Sequence, residues 1–384
     1  MENLVVNVYD NDLIWKAQIE GIESFVHRTS WHEIAYSEMR ISKKAQGLKE
    51  LQIGDILVIN NDRTKALIVE ELHTSLQENY WTLNLLQLKG MLNYRIAHPT
   101  DSAGGATWID RNQSQVMTWL CKDNLVSQTR DTDRYFWNNA KTKNMLTIPA
   151  TAKTLGAIIT YKVDWKTGYI GDAIVSVAKM YAAGSYPIGW NVYITAAFDA
   201  YFMDTYQGVD RTIHQTAVPP VVFSEEYGNI KDANYTYSIK DWRNVVYMNW
   251  NNGTADQNTP VGNTTHGATI SFNRKELIVD SSKKTSGEVV NEGRSELNKR
   301  PHIESFTAEI INNENTMSTY GEHWNLGDIV TVQAKMFENT LISIDAQVTE
   351  IEEIYDGGEY SINATFGEGK LSLVQLIKNA INQK

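Results

Sequence analysis

An ordered β pattern occurs twice in this chain, once near each end. Residues 326–332 (LGDIVTV) place a Gly-Asp turn before a β-branched strand, and strand-like runs at 341–354 and 360–363 follow. Near the N-terminal end, residues 53–58 (IGDILV) again place a Gly-Asp turn before a β-branched strand, and two more strand-like runs follow them. Because a Gly-Asp pair alone is common in turns, the prediction depends on the recurrence of the whole order. The repeat predicts two related small β-barrels or sandwiches.

The turn residues of the repeat are Gly54 and Asp55 in the first copy and Gly327 and Asp328 in the second. Glycine adopts unusual backbone angles and aspartate caps turns, so we expect these residues to build equivalent turns. From the turn aspartate to the strand glutamate the separation is 15 residues in the first copy (70 − 55) and 22 in the second (350 − 328). We expect the 7 additional residues to lie in the polar loop, where insertions cost least.

Length and charge limit the classes of protein that the chain can represent. At 384 residues it exceeds what one core normally serves, which predicts two to four domains. The 19 tyrosines and 11 tryptophans are typical of β-rich packing and of interfaces. A formal net charge of −11 argues against a protein that reads or coats DNA, because such a protein would carry a basic stripe.

The single cysteine and the N-terminal residues predict where the chain assembles. Because Cys121 is the only cysteine, neither an intrachain disulfide nor a cysteine-based zinc site is expected. Residues 4–9 read as a strand without a basic segment before them, so we expect no secretory signal. No apolar run approaches the roughly 20 residues of a membrane span. These features predict assembly in the cytoplasm.

The first half of the chain changes from strands to a mixed pattern. Residues 1–98 alternate apolar and polar positions, which predicts the first β-domain. The range 99–220 is predicted to be an α+β middle domain. It contains helical patterns at 113–126 and 169–181 and then two paired strands, at 188–195 and 197–205.

The second half returns to strands. Residues 221–300 are predicted to form an accessory β domain or linker with a flexible Asn- and Gly-rich loop at 249–267 and an exposed helix within 281–300. The second β-domain is expected at 301–368. Residues 369–384 are predicted to form a short amphipathic C-terminal helix.

The chain carries no catalytic, cofactor or metal motif that we recognise. The histidines lack the spacing of a helical zinc site, and Cys121 lies on the apolar side of a predicted helix, where an inert thiol is expected. Carboxylates at 225–226 and 350–353 could imitate a glycosidase pair, but Glu350 and Glu352 share a strand face at period 2, where a solvated acidic face is far commoner. We expect most aromatic residues to serve packing rather than sugar binding.

Four short runs carry a resemblance to a known family: 206–212 (YQGVDRT), 244–247 (NVVY), 326–328 (LGD) and 348–351 (VTEI). In this order and spacing the chain resembles the siphovirus tail hub proteins, which include tail-associated and baseplate hub proteins and relatives in contractile phages. We take Gly208, Asp210, Arg211, Thr212 and Asn244 as the residues of the family motif. The resemblance covers nearly the whole chain.

The resemblance implies a mainly β, α+β chain in which α+β accessory domains separate two tail-tube-like barrels. It implies a homotrimer in which six barrels form a pseudo-hexameric ring at the distal end of the tail tube. The expected location is the tail tip of a virion or prophage particle, and the expected partners are the distal tail protein, the tape-measure protein and a fibre or receptor-binding protein. DNA would pass through the ring without sequence-specific contacts.

Two other functions stay open at this point. A carbohydrate-active protein would use surface aromatic residues and a carboxylate pair that faces a cleft. A receptor-binding module at the tail tip would use the polar loop at 249–267 as its contact. The structural hub without enzymatic activity is our leading hypothesis.

Overall fold

The fold is described from a computed structural model, which covers residues 4–100, 107–128, 131–180, 186–254, 256–262, 271–281, 285–298, 300, 302–311, 315, 318–337 and 340–367. The helices are α1 Gln113–Cys121, α2 Ile170–Ala178 and α3 Ser286–Asn298, with a π-helical turn at Lys122–Val126 and 3-10 helices at Leu48–Glu50, Leu88–Tyr94, Thr132–Arg134, Glu225–Tyr227 and Ser271–Asn273. The strands are β1 Val6–Tyr9, β2 Trp15–Ile19, β3 Ile22–Ser30, β4 Tyr36–Ser42, β5 Ile56–Ile59, β6 Ala66–His73, β7 Tyr80–Gln87, β8 Thr107–Asn112, β9 Leu146–Thr147, β10 Ile158–Val163, β11 Gly189–Ile194, β12 Tyr201–Tyr206, β13 Val222–Ser224, β14 Ile230–Ser238, β15 Val245–Asn251, β16 Asp256–Gly262, β17 Glu276–Asp280, β18 Ile303–Ile310, β19 Ile329–Phe337, β20 Thr340–Asp356 and β21 Glu359–Gly367. The predicted mainly β, α+β class is confirmed.

Most of the chain belongs to a first compact unit, Met1–Ala233 with Ala308–Phe366. Its largest sheet includes, in this order, the strands β2, β1, β5, β6, β7, β4, β3, β20 and β21, and β19 pairs with both β20 and β13. β3, from the first copy's end of the chain, pairs antiparallel with β20, from the second copy's end, from Glu350 opposite Ser30 to Asp356 opposite Ser24. Strands from both copies of the repeat therefore belong to one sheet. Closure of each copy into a separate barrel stays a prediction.

Alternating burial shows why these residues form this sheet. In β4 the side chains alternate strictly between exposed and buried, with Met39 and Ile41 buried, and β3 and β21 follow the same period of two. The buried side joins a core of strand residues that includes Phe25, Leu57 and Leu83. Tyr355 of β20 packs against the same core, so the last part of the chain contributes to the first copy.

The middle part of the first unit contains the predicted helices and strands. α1 and α2 lie where the apolar periodicity places them, and β11 pairs antiparallel with β12 as predicted. α1 begins with a capping box, in which Asn112 and Gln115 each bond to the other's backbone N–H. One core contains Ile56 and Ile68 of the first copy together with Val116 of α1 and Ile174 of α2. The hydrophobic core thus continues across the predicted boundary at residue 98.

The second compact unit comprises Asn234–Thr307 with Gly367–Lys384. Its sheet has the order β16, β15, β17, and α3 packs on it through Val289 and Leu297. The helix predicted within 281–300 is present, but its apolar side is buried rather than exposed. A Cβ added at Gly293 would lie 3.0 Å from Val261 and 3.1 Å from Met248, so this glycine lets α3 approach the sheet closely.

Two local expectations were wrong. The range 249–267, predicted as a flexible loop, contains the end of β15 and all of β16, whose polar residues pair in register on an exposed sheet; residues 263–267 lie outside the described residues. The 7 additional residues of the second copy do not lengthen the loop. They lie in longer strands, because β19 has 9 residues against 4 in β5, and β20 has 11 residues up to Glu350 against 5 in β6 up to Glu70.

The remaining expectations concern the tail and the membrane. The C-terminal helix predicted for 369–384 lies outside the described residues. None of the described helices has both the length and the apolar composition that a membrane crossing needs. The predicted domain boundaries at 98, 220, 300 and 368 stay predictions.

Candidate functional site

The first Gly-Asp turn joins β5 to β6 through paired backbone bonds. Gly54 has a φ of 89°, which favours glycine, and its N–H donates to the Val69 carbonyl at 2.8 Å. The Val69 N–H donates back to the Asp55 carbonyl at 2.9 Å. The Asp55 carboxylate accepts the Gln52 N–H at 2.8 Å and pairs with Lys16 at 2.7 Å.

The second Gly-Asp turn repeats these backbone hydrogen bonds. Gly327 has a φ of 93°, its N–H donates to the Val348 carbonyl at 2.8 Å, and the Val348 N–H donates to the Asp328 carbonyl at 2.8 Å. The Asp328 carboxylate accepts the Asn325 N–H at 2.9 Å and pairs with Arg211 at 2.9 Å. Both turn aspartates are 4% exposed. The repeat seen in the sequence is therefore a repeat of local structure.

The family motif lies directly against the second turn. A Cβ added at Gly208 would lie 1.6 Å from the Gly327 carbonyl oxygen, a distance that no side chain tolerates. The next residue, Val209, donates its N–H to the Asp328 carboxylate at 3.0 Å. Gly208 is required because the two backbones touch at this point.

The rest of the motif adds a strand-like segment beside β19. Asp210 forms a parallel bridge with Ile329, and the Arg211 N–H donates to the Ile329 carbonyl at 2.8 Å. Asp210 also accepts the N–H of the buried Thr212 at 2.9 Å, which fixes the turn that follows. Gly208, Asp210, Arg211 and Thr212 thus meet Gly327 and Asp328 in one structural cluster.

Asn244 has a different place, in the second unit. It is fully buried, its side chain donates to the Asn273 carbonyl at 3.0 Å and accepts the Lys275 N–H at 2.8 Å. Asn244 therefore fixes the start of β15 against the segment that precedes β17.

A tryptophan that the sequence analysis did not single out packs on the second turn. A Cβ at Gly327 would lie 2.4 Å from the Trp31 ring, and one at Gly189 would lie 2.3 Å from it. The Trp31 indole N–H donates to the Pro187 carbonyl at 3.0 Å, and its backbone N–H donates to the Thr349 carbonyl at 2.9 Å. Trp31 thereby connects the first copy, the middle part and the second copy.

Lys89 is a second residue that the sequence could not reveal. It is fully buried, and its ammonium group donates to the Ser30 carbonyl at 2.7 Å and lies 4.8 Å from the Trp190 ring. Burial lowers the pKa of Lys89 to about 7, against a smaller opposing effect of the Glu33 charge. A lysine in a sequence is expected at the surface, so only the fold identifies this one as buried.

A buried carboxylate holds β3 and β20 together. Lys65 donates to the two oxygens of Glu353 at 2.8 and 2.9 Å, His27 Nδ1 lies 3.1 Å away, and Tyr360 donates at 3.0 Å. Burial alone would raise the pKa of Glu353, but the His27 hydrogen bond and the Lys65 charge lower it to about 2. The carboxylate is therefore ionised at neutral pH.

The carboxylates of the two acidic runs differ in exposure. Glu353 is 2% exposed, whereas Glu352, its neighbour in the chain, pairs with Arg28 near the surface. In the other run, Glu226 pairs with Lys335. Cys121 is buried as predicted, and burial raises the pKa of its thiol. The Glu352 carboxylate therefore serves an ion pair between β20 and β3, and the Glu226 carboxylate one between a 3-10 helix and β19.

Comparison with known proteins gives the family. The model of the Siphovirus ReqiPepy6 Gp37-like protein family matches residues 5–368. No curated protein is significantly similar to the chain in sequence.

Solved structures share the fold at low sequence identity. The prophage MuSo2 43 kDa tail protein from Shewanella oneidensis aligns with a TM-score of 0.55 and 12% identity, over 96% of this chain and 98% of that one. The tail protein from Neisseria meningitidis MC58 aligns with a TM-score of 0.55 and 11% identity, over 95% and 97%. The prophage tail protein gp18 from Listeria monocytogenes EGD-e aligns with a TM-score of 0.51 and 12% identity, over 98% of both chains. Because the family model covers nearly the whole length, the chain belongs to the Siphovirus ReqiPepy6 Gp37-like family, a family of siphovirus tail proteins.

Proposed function

We propose that the chain is the structural hub of a phage or prophage tail tip, in which three copies close a pseudo-hexameric ring. The observation that carries this proposal is the repeated turn. Gly54-Asp55 and Gly327-Asp328 have the same bonding in two copies within one sheet. Three chains with two equivalent copies each supply six similar elements, and a head-to-tail contact that closes makes a ring. Such a ring would match a sixfold tube on one side and present threefold symmetry on the other.

The charge of the shared sheet supports passage of DNA. On the side of the sheet away from the core lie six carboxylates and two guanidinium groups, the carboxylates of Glu38, Glu71, Glu350, Glu352, Asp356 and Glu359 and the guanidinium groups of Arg28 and Arg40. Phosphate binds to basic side chains, so an acidic surface lets DNA slide past without being held. In our proposal this side of the sheet lines the channel during ejection.

The partners in this proposal are other tail proteins. One end of the ring would contact the distal tail protein and the tape-measure protein, and the other would carry a fibre or receptor-binding protein. In our proposal the role is mechanical and without an enzymatic step, and three carboxylates of the two acidic runs, those of Glu226, Glu352 and Glu353, are held in ion pairs.

The test is the stoichiometry and symmetry of the assembled protein. The full chain would be studied by light scattering and electron microscopy, alone and after mixing with the distal tail protein of the same particle. We expect a particle of three chains whose projection shows six similar lobes. A chain that stays monomeric with its partner, or a ring with another number of chains, would reject the hub.

A second test addresses the receptor-binding alternative. Shortening the β15–β16 hairpin, for example by replacing residues 252–255 with a two-residue turn, removes exposed polar surface. In a hub the variant particle should assemble and adsorb to cells like the parent. Normal assembly with lost adsorption would favour a receptor-binding role.

A further inference from the structure

Four exposed side chains lie near one another on the first unit. Tyr94 and Ile96 share one side of an extended segment, because Arg95 between them has extended backbone angles and lies over Phe136. Tyr169 lies opposite Ile96 in an antiparallel bridge. We call Tyr36, Tyr94, Ile96 and Tyr169 the tyrosine strip; they are 55%, 46%, 46% and 51% exposed, respectively.

Two carboxylates border the tyrosine strip. The Tyr94 hydroxyl donates to Glu70 at 2.9 Å. Burial and then the charges of Glu70 and Asp172 raise the pKa of Tyr36, so both carboxylates lie near this phenol. Within the described ranges neither carboxylate has a cationic partner: Glu70 bonds to Tyr94, and Asp172 bonds to Asn93.

The backbone beneath the strip is fixed by hydrogen bonds. Asn93 donates to the Asp172 carboxylate at 2.9 Å and accepts the Asp172 N–H at 3.0 Å. Ile170 donates its N–H to the Arg95 carbonyl at 3.0 Å, and Ala97 donates to Gly168 at 2.8 Å. A ligand therefore meets a surface that is already ordered, which lowers the entropic cost of binding.

We propose that the tyrosine strip, with Glu70 and Asp172, is a docking surface for a protein segment that presents arginine or lysine among apolar side chains. Aromatic faces attract cations, and a guanidinium group can stack on a phenol while it pairs with a carboxylate. Tyrosine is enriched at the centres of protein interfaces, where the apolar ring and the hydroxyl are both used. Anionic polymers would be repelled by the two carboxylates. The inference does not depend on ring formation.

The test uses the full chain and three labelled probes in fluorescence polarisation. The probes are a short peptide that alternates leucine and arginine, the same peptide with glutamate in place of arginine, and chitotetraose as a neutral sugar. We expect saturable binding of the arginine peptide alone. Glu70→Gln and Tyr169→Ser should each weaken it by about tenfold, the usual effect of losing a central interface residue.

The matched control is Tyr227→Ser, because Tyr227 is 57% exposed on the same unit but has no part in the strip. Its affinity for the arginine peptide should equal that of the parent, and urea unfolding would show that every variant is folded. Unchanged affinity in Glu70→Gln and Tyr169→Ser would overturn the proposal, as would equal binding of the glutamate peptide or stronger binding of chitotetraose. Sedimentation that shows self-association lost in Tyr169→Ser would also overturn it, because the occupant would be a second copy.

Discussion

Replacing Glu353 by glutamine should weaken the joint between β3 and β20 much more than the same change at Glu352. The pKa of Glu353 is about 2 against an ordinary value of 4.5. This difference corresponds to about 3 kcal/mol of free energy of unfolding at neutral pH. The glutamine variant also leaves the Lys65 ammonium without its counter-charge. We therefore expect Glu353→Gln to lower the free energy of unfolding by about 3 kcal/mol.

Glu352→Gln is the matched control on the same strand. Its ion pair with Arg28 is open to solvent, with 24% of the Glu352 side chain and 43% of the Arg28 side chain exposed. Solvent-exposed pairs contribute about 0 to 1 kcal/mol. The two variants remove the same charge, so a difference between them measures burial at position 353.

The contribution of Glu353 to the free energy of unfolding depends on pH with a defined sign. Because the folded-state pKa of Glu353 lies below its unfolded value, the stabilisation is present above about pH 4.5 and is lost as the pH falls toward 2. The advantage of the parent protein over Glu353→Gln should shrink across this window. Urea unfolding gives the free energies, and hydrogen exchange of β3 and β20 shows whether the joint itself opens. Equal stability of the two variants at neutral pH, or a pH-independent difference, would refute a buried, ionised Glu353.

Three further predictions concern the turns and the buried lysine. Gly208→Ala should lower the free energy of unfolding in urea by about 3 kcal/mol or more, because its Cβ meets the Gly327 carbonyl. Gly287→Ala is the control: a Cβ there meets open space in α3, so the free energy of unfolding should change by less than about 1 kcal/mol. Asp55→Asn and Asp328→Asn should each cost about 1 to 3 kcal/mol, with the larger cost at Asp328 because its carboxylate also accepts the Val209 N–H; the absence of a measurable cost at either position would contradict the role of the carboxylates in these turns. The folded parent protein releases the Lys89 proton at about pH 7 while the unfolded chain retains it, so the free energy of unfolding of the parent should rise between pH 7 and 9. In Lys89→Met this rise should be absent.

Several elements could be predicted from the sequence because their signals are local. Apolar residues at helical spacing place α1 and α2, and alternation of apolar and polar residues places β21. The Gly-Asp turns were visible because glycine and aspartate are required within a few residues of each other. The order of the repeat then predicted two copies of one local structure, and the bonding at Asp55 and Asp328 agrees with it.

Other features were missed because their cause is far away in the chain. The polar pattern of residues 256–262 resembled a loop, but pairing with β15 makes it a strand on an exposed sheet. Glu350–Glu353 resembled a solvated face, yet the bulge beside Glu350 and the partners His27 and Lys65 place Glu353 inside.

The sequence by itself determined the mainly β composition, the position of the helices and the repeated turn, because each depends on residues that are neighbours in the chain. Only the tertiary structure decided that Gly208 touches Gly327, that Trp31 packs on the second turn and that Lys89 is buried. These contacts join residues more than a hundred positions apart or depend on desolvation by several segments at once. No local pattern encodes them, because the same glycine, tryptophan or lysine would be equally acceptable at the surface until the segments meet.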